Sequence, residues 1–136
     1  MYRHRRAFFA FIVALLVLGC EAYQRARQVK TIANMQTVAA IIEALQNRDP
    51  VLNAQQMRSA ILRVNGGRDA WGTSIAYRLR VANGRSSYIL VSAGSDRTFD
   101  VPDIGAYFLM PVHYSKRDSA RDLVVRDGDE ITLAGK

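Results

Sequence analysis

Cysteine is nearly absent from this chain: Cys20 is the only one, so no internal disulfide and no cysteine-based zinc cluster can form. Histidine is almost as scarce, with His4 and His113 alone, and a Cys/His pair would have to bring Cys20 beside His113. No Gly-x-Ser-x-Gly elbow, phosphate-cradling glycine loop or EF-hand spacing occurs. Asp118 and Asp122 are the carboxylates nearest to an acid/base pair, yet no cleft can be inferred around them. Together these gaps argue against an enzyme. Two further absences are positional. No acidic residue precedes Glu21, and neither proline nor glycine occurs between Cys20 and Asp49.

What stands in those gaps is informative. Arg3, Arg5 and Arg6 are followed by the apolar run Ala7 to Gly19 (AFFAFIVALLVLG), and Cys20 comes next. Thirteen helical residues extend about 20 Å, short of a hydrocarbon core of about 30 Å. That length suits the apolar region of an export signal better than a stable membrane span. Val17-Leu18-Gly19-Cys20 also has the form of a lipobox, with Cys20 as the residue that would be cleaved before and acylated. The alternative is an ordinary thiol at the end of a membrane helix. Residues 1–20 are therefore read as a signal or membrane anchor.

The charge distribution agrees. The chain carries a formal +7, but three of its nineteen basic residues lie in the leader, leaving sixteen against twelve acidic ones. The remainder is scattered, and only Tyr114 to Arg117 forms a local basic cluster. No basic face with interleaved aromatics marks a nucleic-acid surface. Attraction of the leader arginines to a cytoplasmic membrane face accounts for the excess.

Residues 21–48 read as one helix, rich in Ala, Gln, Arg and Glu. Ile32, Met35, Ala39, Ile42 and Leu45 recur at spacings of three and four and draw an apolar stripe, which Val38 and Ile41 widen. Glu21 to Lys30 shows little stripe, so the first half is expected to be a solvated stalk and the second half to pack on a head. Asp49-Pro50 ends the helix near Arg48. A second helix is expected over Ala54 to Val64, capped by Asn53 with Gln56 at its third position and stopped by Gly66-Gly67.

Residues 49–136 form the head. Ile75 to Val81 alternates as a half-buried strand, Asn83-Gly84 supplies a tight turn, and Tyr88 to Ser92 returns. A long loop follows through Pro102, Gly105 and Pro111. Asp122 to Arg126 reads as a third strand, and Glu130 to Leu133 as a last short one. The fold class is α+β: a long N-terminal helix packed on a small antiparallel β-sheet.

Asp69-Ala70-Trp71-Gly72, Tyr77, Tyr88, Ser92-Ala93-Gly94-Ser95-Asp96 and Asp122-Leu123, after a helical phrase over Thr31 to Leu45, stand in a recognisable order. In that order the chain resembles the major pseudopilins of type II secretion systems, within the type IV pilin-like family. The resemblance implies a pilin-like fold and a membrane-anchored structural subunit. Its head would lie in the periplasm or outside a bacterial cell, assembling with other pilin-like or secretion-system subunits into a homo-oligomeric filament. It also implies a calcium ion in the loop after the hairpin, with Asp96 and Asp122 at the positions of the family's liganding aspartates. Two features depart from the family. Its prepilin-peptidase signature is replaced by Arg6-Ala7-Phe8-Phe9-Ala10-Phe11, and no glutamate lies in the apolar run. These departures keep a second reading open: a stand-alone envelope lipoprotein, lipidated at Cys20, with a pilin-like head serving as an adaptor.

Overall fold

The computed structural model describes residues 2–110 and 119–127, with side chains from Ile12 onward. His113, Asp118, the Tyr114 to Arg117 cluster and the strand expected over Glu130 to Leu133 lie outside these residues.

One helix, α1 (Tyr2–Gln46), runs unbroken through the junction at Cys20. The chain between Tyr2 and Gln46 supplies no proline to interrupt it, and its lone glycine, Gly19, is tolerated within the helix. It ends two residues before the expected stop, with Asp49 donating its amide back to the Leu45 carbonyl. A shorter helix, α2 (Ala54–Leu62), follows. Its capping box is complete: the Gln56 amide donates to the Asn53 side chain at 2.9 Å, and the Asn53 amide donates to Gln56 Oε1 at 2.8 Å.

Three strands, β1 (Ala76–Ala82), β2 (Arg85–Ser92) and β3 (Leu123–Arg126), form an antiparallel sheet in the order β1-β2-β3. Asn83 and Gly84, with φ of 53° and 71°, make the turn between β1 and β2. Register places Leu79 opposite Tyr88, and Leu90 opposite both Tyr77 and Val125. The inner face of the sheet, with Tyr77, Leu79, Tyr88, Leu90, Leu123 and Val125, packs against Ile32, Met35, Val38 and Ile42 of α1 and Met57 and Ile61 of α2.

The outer face is covered as well. Ile89, Val91 and Val124 pack beneath Ile104 and Tyr107 of a 3-10 turn, Ile104–Phe108. The sequence reads as a plain loop here. Asp103 instead caps this turn by accepting the Gly105 amide at 2.9 Å, so the connection folds back over the sheet and buries β2 on both sides.

The expected solvated stalk is shorter than the sequence suggests. Every side chain from Ile12 to Tyr23 is exposed, but Gln24 is partly covered, Gln28 is buried and Thr31 is fully buried. The head therefore begins at Gln24 on α1, not past Lys30. The stripe was hidden because its lower members are polar.

Candidate functional site

The phrase Asp69-Ala70-Trp71-Gly72 folds into a buried polar knot that clamps α1 to the sheet. Asp69 is only 2% exposed. Its Oδ1 accepts the Trp71 and Thr73 amides at 3.0 and 2.8 Å, and its Oδ2 accepts the Ser92 hydroxyl at 2.8 Å. A carboxyl group can be buried when several donors meet it, as they do here. Gly72, at φ 84°, closes the tight turn, donating its amide to the Asp69 carbonyl at 3.1 Å. Two bonds then reach α1: the Ala70 amide donates to Thr31 Oγ1 at 2.9 Å, and the Trp71 indole N–H donates to Gln24 Oε1 at 2.7 Å.

A second knot holds the other end of the helix. Gln46 Nε2 donates to the Ser86 carbonyl at 2.7 Å, and Ser86 Oγ accepts the Leu52 amide at 2.8 Å. Sequence reasoning missed Gln24, Thr31, Gln46 and Ser86. The available signal was spacing: Gln24, Gln28, Thr31, Met35, Val38, Ile42 and Gln46 continue one helix face at intervals of three and four, with polar members where backbone groups of the head must be met.

Tyr77 and Tyr88 differ in role. The Tyr77 hydroxyl donates to the Ala54 carbonyl at 3.3 Å, joining β1 to the start of α2. Tyr88 is 1% exposed, and its hydroxyl has no hydrogen-bond partner among the described residues. Burial drives its phenol pKa far upward, with Glu43 and Asp127 adding to the rise. It remains a neutral core ring.

Gly94, Asp96 and Asp122 come together at the loop after the hairpin. Gly94 has φ 69°, and a Cβ there would lie 2.6 to 2.9 Å from the carbonyl oxygens of Ser119, Ala120 and Arg121. The Ser95 amide donates to the Ser119 carbonyl at 2.8 Å, stitching the two segments together. Asp96 Oδ1 accepts the Thr98 amide at 2.9 Å in an exposed turn. Asp122 is buried, and its Oδ2 accepts the Tyr107 hydroxyl at 2.6 Å and the Asp100 amide at 3.0 Å. Its Oδ1 has no hydrogen-bond partner among the described residues. Burial raises the Asp122 pKa, and the charges of Asp100 and Asp96 push the same way against the hydrogen bonds from Tyr107 and Asp100. The Tyr107 phenol is raised too, by burial first and then by its bond to Asp122.

These groups suit a hard cation. Calcium takes six to eight oxygen ligands from carboxylates and carbonyls. Here a buried carboxylate oxygen lacks a donor among the described residues, with Asp96 and Asp100 close enough to act on it and the carbonyls of Ser119, Ala120 and Arg121 gathered around Gly94. Among the described residues no group of three or more His, Cys, Asp or Glu side chains is close enough to hold a metal alone. Carbonyl oxygens would therefore have to complete the set.

Cys20 is exposed on α1, one turn before Gln24. The neighbouring Ile12, Val13, Leu15, Leu16, Val17 and Leu18 are 39 to 68% exposed. Among the described residues, no helix is long and apolar enough to cross a membrane. Comparison with protein-family models, curated proteins and solved structures returned no match.

Proposed function

We propose that this chain is a membrane-anchored, pseudopilin-like structural subunit of a type II secretion or type IV pilus-like filament in a bacterial envelope. It acts by protein–protein assembly and not by catalysis. The observation that carries the reading is that one continuous helix does two jobs. Its upper half is the central element of the head, fixed by the Asp69 and Ser86 knots, while its lower half projects an uncovered apolar arm. So much exposed aliphatic surface on one helix calls for lipid or neighbouring helices around it. The order of the Trp71 module, the hairpin and the Asp122 strand adds the pilin-like resemblance. In this reading calcium serves the head structurally: Asp122, Asp96 and the carbonyls facing Gly94 would hold it, and it would neutralise the carboxylates and fix the loop.

The second reading, an envelope lipoprotein with an adaptor role, is favoured by one observation: the apolar run ends at an exposed Cys20. Intact mass of the membrane-extracted protein, wild type beside Cys20→Ser, separates the two. Residues 20–136 with acyl chains, lost in the variant, establish the lipoprotein. An unacylated mass, together with Cys20-linked oligomers on oxidation in the membrane, supports the filament subunit. Monomers alone under those conditions sink it.

A further inference from the structure

The head and the apolar run are close neighbours along α1. The run ends at Gly19, and the first side chain covered by the head is Gln24, hydrogen-bonded to the Trp71 indole. Five residues of helix correspond to about 7.5 Å. That is near the thickness of the headgroup layer, of which each bilayer face has about 5–7 Å. Whether the anchor is the inserted run or acyl chains on Cys20, the membrane boundary falls at the same place, Gly19–Cys20. The lower rim of the head is thus held at headgroup level.

That rim is basic. Arg25 is exposed on α1, and Arg27 packs over the Tyr23 ring at 4.4 Å. Arg68 Nη1 donates to the Gly72 carbonyl at 2.7 Å, and Arg97 Nη2 donates to the Trp71 carbonyl at 3.1 Å. Both guanidinium groups are therefore held at the Trp71 loop, by one bond each, on exposed residues. None of the four arginines joins an ion pair among the described residues. The exposed carboxylates within four residues of them in sequence are Glu21, Asp96 and Asp100, three against four.

We propose that Arg25, Arg27, Arg68 and Arg97, arrayed around the Trp71 loop, form a docking surface for anionic phospholipid headgroups. The proposal rests on the membrane-anchored reading but not on which anchor is used. Basic side chains within about a Debye length of an anionic surface, roughly 8–10 Å, are drawn to it, and guanidinium groups pair with phosphate through two parallel N–H bonds. The head sits on one side of α1, so this attraction tilts the helix and lays the Trp71 loop on the lipid.

Trp71 is the single tryptophan and serves as the reporter. The full chain is placed in phosphatidylcholine vesicles, with or without phosphatidylglycerol, carrying a headgroup nitroxide that quenches indole fluorescence. Phosphatidylglycerol is expected to increase the quenching of Trp71, and raising salt from about 0.05 to about 0.5 M to abolish the increase. Arg25→Gln with Arg27→Gln, which breaks no described hydrogen bond to the head, is expected to lose most of that increment. Arg78→Gln with Arg80→Gln, the same charge change on the outer face of β1, is expected to keep it. Equal quenching in both lipids, or equal loss in both paired variants, overturns the proposal while leaving the anchor intact. A chain that fails to float with either vesicle overturns the anchored reading and takes this proposal with it.

Discussion

Asp100 and Asp122 hold each other by a reciprocal clasp. The Asp100 amide donates to Asp122 Oδ2 at 3.0 Å, while the Asp122 amide donates to Asp100 Oδ2 at 2.9 Å. Twenty-two residues of chain are closed by this pair, and Tyr107 adds its hydroxyl to the same Asp122 oxygen. The clasp places two carboxylates near one another with burial around one of them. Burial of Asp122 and the neighbouring Asp100 charge both disfavour its ionised form.

The Asp122 pKa is raised in the folded head, so the fold binds the proton more tightly than the unfolded chain does. Its stabilising contribution is therefore present at acid pH and is lost as pH rises through the folded pKa. Asp122→Asn mimics the neutral form. Relative to wild type, the variant should gain stability as pH rises from about 4, the ordinary carboxylate range, through the raised folded pKa, because Asp122 ionises in the wild type alone. Thermal melts of both across that range check this. A wild-type-to-variant gap that does not change with pH would remove the assignment.

Calcium should reverse that trend, because it binds the ionised carboxylate and displaces the proton. At a hundredfold excess over its dissociation constant, a ligand confined to the native state adds about 2.7 kcal/mol. For a head of this size that corresponds to a rise in melting temperature of several degrees, larger at neutral than at acid pH. Asp96→Asn with Asp122→Asn should abolish it. A shift that survives the double variant, or none in wild type, would sink the calcium assignment.

Local patterns made much of this fold legible. The Asn53/Gln56 capping box and the Asn83-Gly84 turn depend on residues close in sequence, and each appears where the chain predicts it, while the alternation in β1 holds through Tyr77 and Leu79 and fails at Val81, which is exposed. The hidden parts depend on distant partners. Gln24 and Thr31 look like solvated helix residues until the Trp71 loop arrives from some forty positions away. Tyr107 likewise reads as loop, because its burial comes from Ile89 and Val124 on separate strands. At the candidate metal loop, Asp96 and Asp122 followed from the family resemblance alone. Asp100 and Tyr107, which bind Asp122 directly, carried no motif.

Asp69 is expected to matter more to stability than any other single polar side chain in the head. Asp69→Ala strands three donors (the Trp71 and Thr73 amides and the Ser92 hydroxyl) in a buried site. Each buried donor left unmade costs about 1–3 kcal/mol, so a total loss of at least about 3 kcal/mol follows. Ser92→Ala removes two bonds, the one given to Asp69 and the weaker one accepted from the Gly94 amide at 3.3 Å, and should cost about 1–3 kcal/mol. Denaturant titrations followed by Trp71 fluorescence give both values, and the double variant gives their coupling. Full additivity would mean that the Ser92–Asp69 bond contributes nothing.

Two glycines with nearly equal backbone angles should respond differently to alanine. Gly84 has φ 71° and open space where a Cβ would stand, whereas Gly94 has φ 69° and three carbonyl oxygens within 2.9 Å of that position. Gly84→Ala therefore meets only the left-handed backbone penalty, about 1 kcal/mol. Gly94→Ala adds a collision with backbone that no rotamer can relieve, for a loss of more than about 3 kcal/mol. It should also part the Ser95–Ser119 contact and displace the carbonyls around Gly94 that are proposed as calcium ligands, so any calcium-dependent shift should vanish in this variant. If Gly84→Ala and Gly94→Ala proved equally mild, the close approach of residues 119–121 to Gly94 would not exist in solution. The carbonyl half of the proposed calcium site would go with it.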